Sequence, residues 1–197
     1  PEWLMADMAT QQIGVIWVPV YPTTNPLELT FILNDASVKY MFASKQELYN
    51  KIMSIKDKVP CLKEVYTFDQ IEGAKHWSEL CLTDTDLLQQ VEVIKKTIPV
   101  EQVATFIYTS GTTGTPKGVM LTHHSVYFNL QSGKKSFPFP DAPDQKVLSF
   151  LPLNHIFEKV ASYIYMYSGM SIYYAESMET IGDNLKEVSP DGFSTVP

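Results

Sequence analysis

The residues with the clearest chemical potential lie between 109 and 118, where the sequence reads TSGTTGTPKG. Thr109, Ser110, Thr112, Thr113 and Thr115 bring hydroxyl donors, Gly111, Gly114 and Gly118 admit close backbone approach, and Lys117 brings one positive charge. Successive backbone N–H groups in such a loop form an anion nest, and a flexible ammonium can follow phosphate oxygens as their charge moves. Pro116 stiffens the approach to that lysine. Phosphate binding is the chemistry these residues share. A Walker A loop needs GxxxxGK followed by Ser or Thr; here Pro116 precedes Lys117 and Gly118 follows it, so that pattern fails. The dinucleotide fingerprint GxGxxG fails too, because Thr113 stands at its second glycine. Gly, Thr, Ser and Pro are ordinary turn residues as well. An unbroken run of them that ends on lysine beside an apolar strand favours the phosphate site.

The loop needs elements to hold it. The apolar run QVATFIY (102–108) reads as a buried strand and 118–122 as a second one, so the loop closes a hairpin instead of opening a helix. Phosphate would then not rest on a helix N-terminus. Thr122 is placed to cap a helix in which His123 and His124 are starting residues without chemistry. Strands are expected at 146–153, 169–175 and 192–197, with helices at 156–168 and 179–188. Upstream, a helix at 2–12 stops at Gly14, a short strand at 15–20 is punctuated by Pro19 and Pro22, and Asn25 caps a helix that Pro26 begins. Strands follow at 39–43 and 64–68, with a helix opened by Ser44 between them. Residues 73–102 are polar and acidic and read as a surface connection, with Trp77 and Leu80 as its packing residues. This alternation predicts an α/β fold of mostly parallel sheets flanked by helices. Two lobes are expected: residues 1–100, and residues 101–197 carrying the phosphate loop.

Composition narrows the partners. The 197 residues are 45% hydrophobic, enough for a real core, and carry a net charge of −7 with no arginine. An acidic chain without guanidinium groups argues against nucleic acid, and it leaves the phosphate grip to backbone, hydroxyls and lysine. No apolar run approaches the roughly 20 residues a bilayer span requires. Cys61 and Cys81 form no CxxC pair, and the four histidines lack metal-ligand spacing, so a reducing cytoplasm and no protein-held metal are expected. The chain opens on Pro1 and closes on an apolar run, and both ends read as cut from something longer.

The string YTSGTTGTPKG (108–118) closely resembles the phosphate loop of adenylate-forming enzymes, the superfamily of acyl-CoA synthetases, peptide-synthetase adenylation domains and luciferases. Residues 14–42 resemble that family's strand and proline-rich turn upstream of the loop. FLPLNHIFEKV (150–160) and the stretch 172–197 are most similar to the long-chain fatty acyl-CoA synthetase branch. The resemblance implies a large N-terminal domain, here partial, and a two-step reaction. ATP and a fatty acyl carboxylate give an acyl-adenylate and pyrophosphate, and coenzyme A then takes the acyl group.

It further implies that Thr109, Ser110, Gly111, Thr112, Thr113, Gly114 and Lys117 hold the β- and γ-phosphates, with Mg²⁺ as co-ligand of ATP. His155 would lie near the substrate carboxylate; its other reading is a histidine that caps the following helix. Glu158 would orient His155, or else be a solvated helix residue. The aromatic run 163–167 reads as core packing before acyl-tunnel lining. Long-chain substrates imply transient membrane contact, although no amphipathic anchor is evident.

The family's later elements (the glutamate associated with Mg²⁺, the ribose-binding aspartate, the hinge and the small domain with its catalytic lysine) have no match in these residues. Lys186 lies in a different segment and does not replace that lysine. The chain by itself is therefore expected to be inactive. The competing reading is a non-catalytic nucleotide- or acyl-binding module. Acyl chain length and oligomeric state stay open.

Overall fold

The computed structural model describes residues 1–109, 114–136 and 144–196. Helix α1 (Glu2–Gln11) is followed by α2 (Pro26–Asp35). Helix α2 starts where the sequence asks for it. Asn25 Oδ1 accepts the Glu28 N–H at 3.0 Å, and Pro26 sits in the first turn, where a missing N–H leaves nothing unpaired. Strands β1 (Tyr40–Ala43), β2 (Glu64–Thr67) and β3 (Lys75–His76) then form a parallel sheet in that order. Helix α3 (Gln46–Met53) makes the crossover from β1 to β2.

Helix α4 (Thr85–Thr97), capped by Asp84, lies on the surface with no buried residue. Strands β4 (Val103–Thr109) and β5 (Lys117–Thr122) pair antiparallel, and Thr122 Oγ1 accepts the Ser125 N–H at 3.1 Å as α5 (His123–Ser136) begins. A second parallel sheet follows, in order β7-β6-β8, from β6 (Lys146–Ser149), β7 (Ser171–Tyr174) and β8 (Gly192–Phe193). Its crossovers are α6 (Ile156–Tyr167) and α7 (Ile181–Val188). The mixed α/β architecture with parallel sheets is the one expected.

Four local expectations are corrected. Residues 15–20 form no strand; only Trp17 makes a parallel bridge, to Thr105, and Pro19 and Pro22 have no N–H with which to extend it. Ser44 does not open α3, because Lys45 holds the N-cap position and gives no side-chain cap. Strand β6 ends at Ser149 instead of 153, short of Pro152. Strand β8 stops at Phe193, and residues 194–196 of the strand expected at 192–197 lie outside it. Strand β3, besides, was not foreseen, since two polar residues carry no alternation that could mark them as a strand.

The core has two main parts. Leu29 and Leu33 of α2, Ile52 of α3, Ala43 of β1 and Val65 of β2 close the first half, each nearly inaccessible to water. Burying each of the larger aliphatic side chains stabilises the fold by about 1.5–3 kcal/mol. In the second half, Leu130 of α5 meets Tyr163 and Ile164 of α6, and Leu4 of α1 joins them. The first helix in sequence thus packs with the last half of the chain.

A charged network completes that contact. Lys159 Nζ lies 2.7 Å from Asp7 Oδ2, and the Tyr163 O–H donates to the same oxygen at 2.6 Å. Both members of the ion pair are essentially fully buried, at 1% and 0% exposure. Gln11 Nε2 donates to Asp7 Oδ1 at 3.2 Å and to the Ala104 carbonyl at 3.1 Å, which ties the network to β4. Burial pulls the Lys159 ammonium below its usual range, and Asp7 pulls it back up.

A ladder of aromatic rings leads from the junction of the two halves, at Trp3 and Trp17, into the first half. Trp3 meets Trp17 edge to face at 5.5 Å, Trp17 meets Phe42 at 5.9 Å, Phe42 stacks on Phe68 at 5.5 Å, and Phe68 meets Trp77 at 6.0 Å. Lys159 Nζ lies over the Trp3 ring at 5.3 Å.

Candidate functional site

The β4–β5 hairpin carries the segment expected to bind phosphate. In its register Thr109 faces Lys117 and Tyr108 faces Gly118. Opposite residues of an antiparallel pair share a face and alternate along the strand. Thr109 and Lys117 therefore stand side by side on one face, both exposed, while Tyr108 and Gly118 occupy the other. Gly114, which re-enters the hairpin, has φ of +81°, a conformation that side chains other than glycine rarely adopt. Ser110, Gly111, Thr112 and Thr113 lie outside the described residues. Thr109, Gly114 and Lys117 are thus the members of the expected phosphate set that the hairpin brings together.

On the opposite face the Tyr108 ring lies across Gly118. A Cβ at Gly118 would meet the ring at 3.0 Å, so only glycine leaves room there without displacing it. The Tyr108 O–H donates to Asp35 Oδ2 at 2.6 Å, at the end of α2. Burial first, then the Asp35 carboxylate, push the Tyr108 hydroxyl well above its usual range and keep it protonated. Phe106 shares this face and lines an open cleft of about 1330 Å³, with Trp17, Phe42, Phe150, Asn154 and Tyr174. The cleft and Lys117 thus belong to opposite faces of the hairpin.

His155 stands at the N-cap of α6, exposed, with Nδ1 accepting the Phe157 N–H at 3.2 Å. That bond leaves the proton of a neutral ring on Nε2, which is free to donate. The capping role named as the alternative in the sequence is therefore present in the structure. Glu158 does not orient His155, nor is it a solvated helix residue. It is 1% exposed, and its Oε1 accepts from the Ser149 hydroxyl at 2.5 Å, at the end of β6. Burial raises the Glu158 carboxyl above the ordinary carboxylate value, and the Ser149 hydroxyl partly opposes that rise. Its Oε2, and Ser162 Oγ one turn on, are buried without a partner among the described residues. Tyr163, Ile164 and Tyr165 are buried in the core, as the packing reading of the run 163–167 expected, whereas Tyr167 at its end is 52% exposed.

Asp35, the Tyr108 hydroxyl and Ser149 were not singled out in the sequence. Tyr108 directly precedes the motif and could have been noticed. Asp35 and Ser149 carry no local signal, since their roles arise only when distant segments meet.

The arrangement is a mixed α/β fold with two parallel sheets and an antiparallel hairpin. Structures of similar fold include a long-chain-fatty-acid-CoA ligase (FadD1) from Archaeoglobus fulgidus, with TM-score 0.74 and 20% identity over 98% of this chain and 37% of that one. The anthranilate CoA ligase AuaEII, in complex with anthranoyl-AMP, gives TM-score 0.76 and 20% identity over 98% of this chain and 37% of its own. Residues 1–197 match the family described as AMP-binding enzyme, and the chain belongs to that family. Among curated proteins it is 30% identical to the peroxisomal long chain acyl-CoA synthetase 6 of Arabidopsis thaliana, over 100% of this chain and 29% of the relative. It is also 30% identical to long-chain-fatty-acid–CoA ligase 5 of Rattus norvegicus, over 100% of this chain and 31% of that protein. The chain thus spans about 30% of the length of these relatives.

Proposed function

We propose that the protein carrying this chain is an AMP-forming acyl-CoA ligase acting on long-chain fatty acids. The observation that carries this reading is the cross-strand pair of Thr109 and Lys117 at the mouth of a TSGTTGTPKG hairpin, within a chain of the AMP-binding family. In the first step a carboxylate oxygen attacks the α-phosphorus of ATP in line. The new O–P bond forms as the bond to the β-phosphate oxygen breaks, and pyrophosphate leaves with the electron pair. Lys117, with the hydroxyls of Thr109, Ser110, Thr112 and Thr113 and the backbone at Gly111 and Gly114, holds the charge that grows on that leaving group. In the second step the thiol sulfur of coenzyme A, giving up its proton to solvent, attacks the acyl carbon; the acyl C–O bond to the phosphate breaks, and AMP departs with that electron pair.

His155 is assigned to the substrate carboxylate or adenylate phosphate through its Nε2–H. Glu158 supports this from a distance, by fixing α6 to β6 through Ser149. Mg²⁺ enters with ATP, held by the phosphates. Among the described residues no group of three or more His, Cys, Asp or Glu side chains is placed to hold a metal. Two free thiols at Cys61 and Cys81 suit a reducing compartment, for which we assign the cytoplasm. No helix among the described residues is long and apolar enough to cross a membrane; the fatty acyl substrate is the ground on which we assign transient contact with a bilayer. We also retain the division into lobes at residues 1–100 and 101–197, with α1 packed into the second.

The test is ATP–pyrophosphate exchange by the protein that carries this chain, over a panel of carboxylates of increasing length. Exchange is expected with long-chain fatty acids. Lys117→Ala should reduce it by about 10²-fold, a loss of the size seen when one charge-stabilising donor is removed. Unchanged pyrophosphate release in Lys117→Ala would remove the loop from the mechanism.

A further inference from the structure

We propose that Asp35 and Tyr108 form a positioning pair that sets the phosphate hairpin in place from the face opposite Thr109 and Lys117. This rests on the assignment of the hairpin to ATP.

The attachment of β4 to the first half is uneven along its length. Near its start it is held by the main chain: Trp17 N–H donates to Ala104 O at 3.0 Å, and Phe106 N–H donates to Trp17 O at 3.1 Å. The Thr105 hydroxyl adds a bond to Trp17 O at 2.7 Å. Past Phe106, among the described residues, the backbone of β4 bonds only to β5. Among the described residues, the hydrogen bond between this end of the strand and the first half is that of the Tyr108 O–H, which donates to Asp35 Oδ2 at 2.6 Å. That bond joins groups 73 positions apart, one residue before Thr109.

Three features make this contact more than a chance surface bond. The Tyr108 ring is seated on Gly118, where an added Cβ would come within 3.0 Å and press the ring aside by a few tenths of an ångström, so ring and hydroxyl together fix the strand in two directions. Asp35 closes α2, where the helix dipole disfavours a carboxylate, and a donated O–H offsets that cost. The contact also leaves the face bearing Lys117 clear. A positioning device for a phosphate grip needs this combination, because a hairpin already held in its binding position takes ATP without the cost of ordering it first.

The test uses the protein that carries this chain in wild-type, Tyr108→Phe, Asp35→Ala, Asp35→Asn and double Tyr108→Phe/Asp35→Ala forms. Calorimetry measures ATP binding, pyrophosphate exchange gives KM for ATP and kcat, and urea unfolding gives stability. Tyr108→Phe and Asp35→Ala should each raise KM for ATP about tenfold, with kcat within about twofold. The double variant should be no worse than either single one. Asp35→Asn, which keeps a carbonyl acceptor, should stay within about threefold of wild type. Lower stability with unchanged KM for ATP would reduce the pair to a structural contact and overturn the proposal, and so would additive effects. If the wild-type protein binds no ATP, the functional reading falls and takes this proposal with it. If it binds ATP and Tyr108→Phe binds ATP equally well, the positioning role alone falls.

Discussion

His155 carries two loads that substitution can separate. Its Nδ1 caps α6 by accepting the Phe157 N–H, and its Nε2–H is the group assigned to substrate. Asparagine caps helices well and has no imidazole. His155→Asn should therefore keep stability, while His155→Ala loses about 1 kcal/mol in urea unfolding. Both should lower kcat by about 10²-fold if the ring serves the reaction. Activity retained in both would leave His155 as a cap alone. Glu158 makes a prediction of different sign from an ordinary ion-paired carboxylate. Burial raises its folded value above the 4.5 of a free glutamate, so the folded state holds the proton more tightly than the unfolded chain does. Its contribution is intact below about 4.5 and is lost as pH rises through the raised value. Glu158→Gln, which stays neutral, should flatten this part of the stability profile measured by urea unfolding between pH 4 and 8. A profile unchanged by the substitution would mean that Glu158 is not the titrating group.

At the scale of elements, local chemistry that repeats along the chain was legible and chemistry that needs a distant partner was not. Helix α2 was marked by Asn25 and Pro26, α5 by Thr122, and the hairpin by two apolar runs around a glycine loop. Residues 15–20 misled because β-branched and aromatic residues raise strand propensity, while the backbone had only one partner position, at Thr105. Strand β3 exists because β2 offers it an edge, which no pattern in Lys75 and His76 could announce. The site divides in the same way: Lys117 and the hydroxyls were readable as a local motif, and the anchoring by Asp35 was not. Helix α2 also supports a test confined to its own start. Asn25→Ala removes the bond to the Glu28 N–H and should cost about 1 kcal/mol in urea unfolding. Since Asp35 lies at the other end of the helix, KM for ATP should hold constant. A change in KM without loss of stability would contradict the capping account.

On the scale of the whole molecule, the buried pair of Lys159 and Asp7 joins the first helix to α6. Lys159→Met would leave a carboxylate buried without its cation, and about 3–5 kcal/mol of stability should be lost. Adding Asp7→Leu should recover part of that loss, since it removes the unpaired buried charge but takes the acceptor from the Tyr163 O–H, at a cost of about 1–3 kcal/mol. Urea unfolding of the single and double variants measures both steps, and a single variant as stable as wild type would show that the pair does not hold the halves together. The aromatic ladder at this junction has an optical consequence. Trp3, Trp17 and Trp77 are the three tryptophans of the chain, and all three belong to it. Trp3 and Trp17 report on the seam between the halves and lie close enough for their excited states to couple, while Trp77 sits at the far end of the ladder, against Phe68 and His76 of the first half. Intrinsic emission and near-ultraviolet dichroism should follow the parting of that seam without any introduced label.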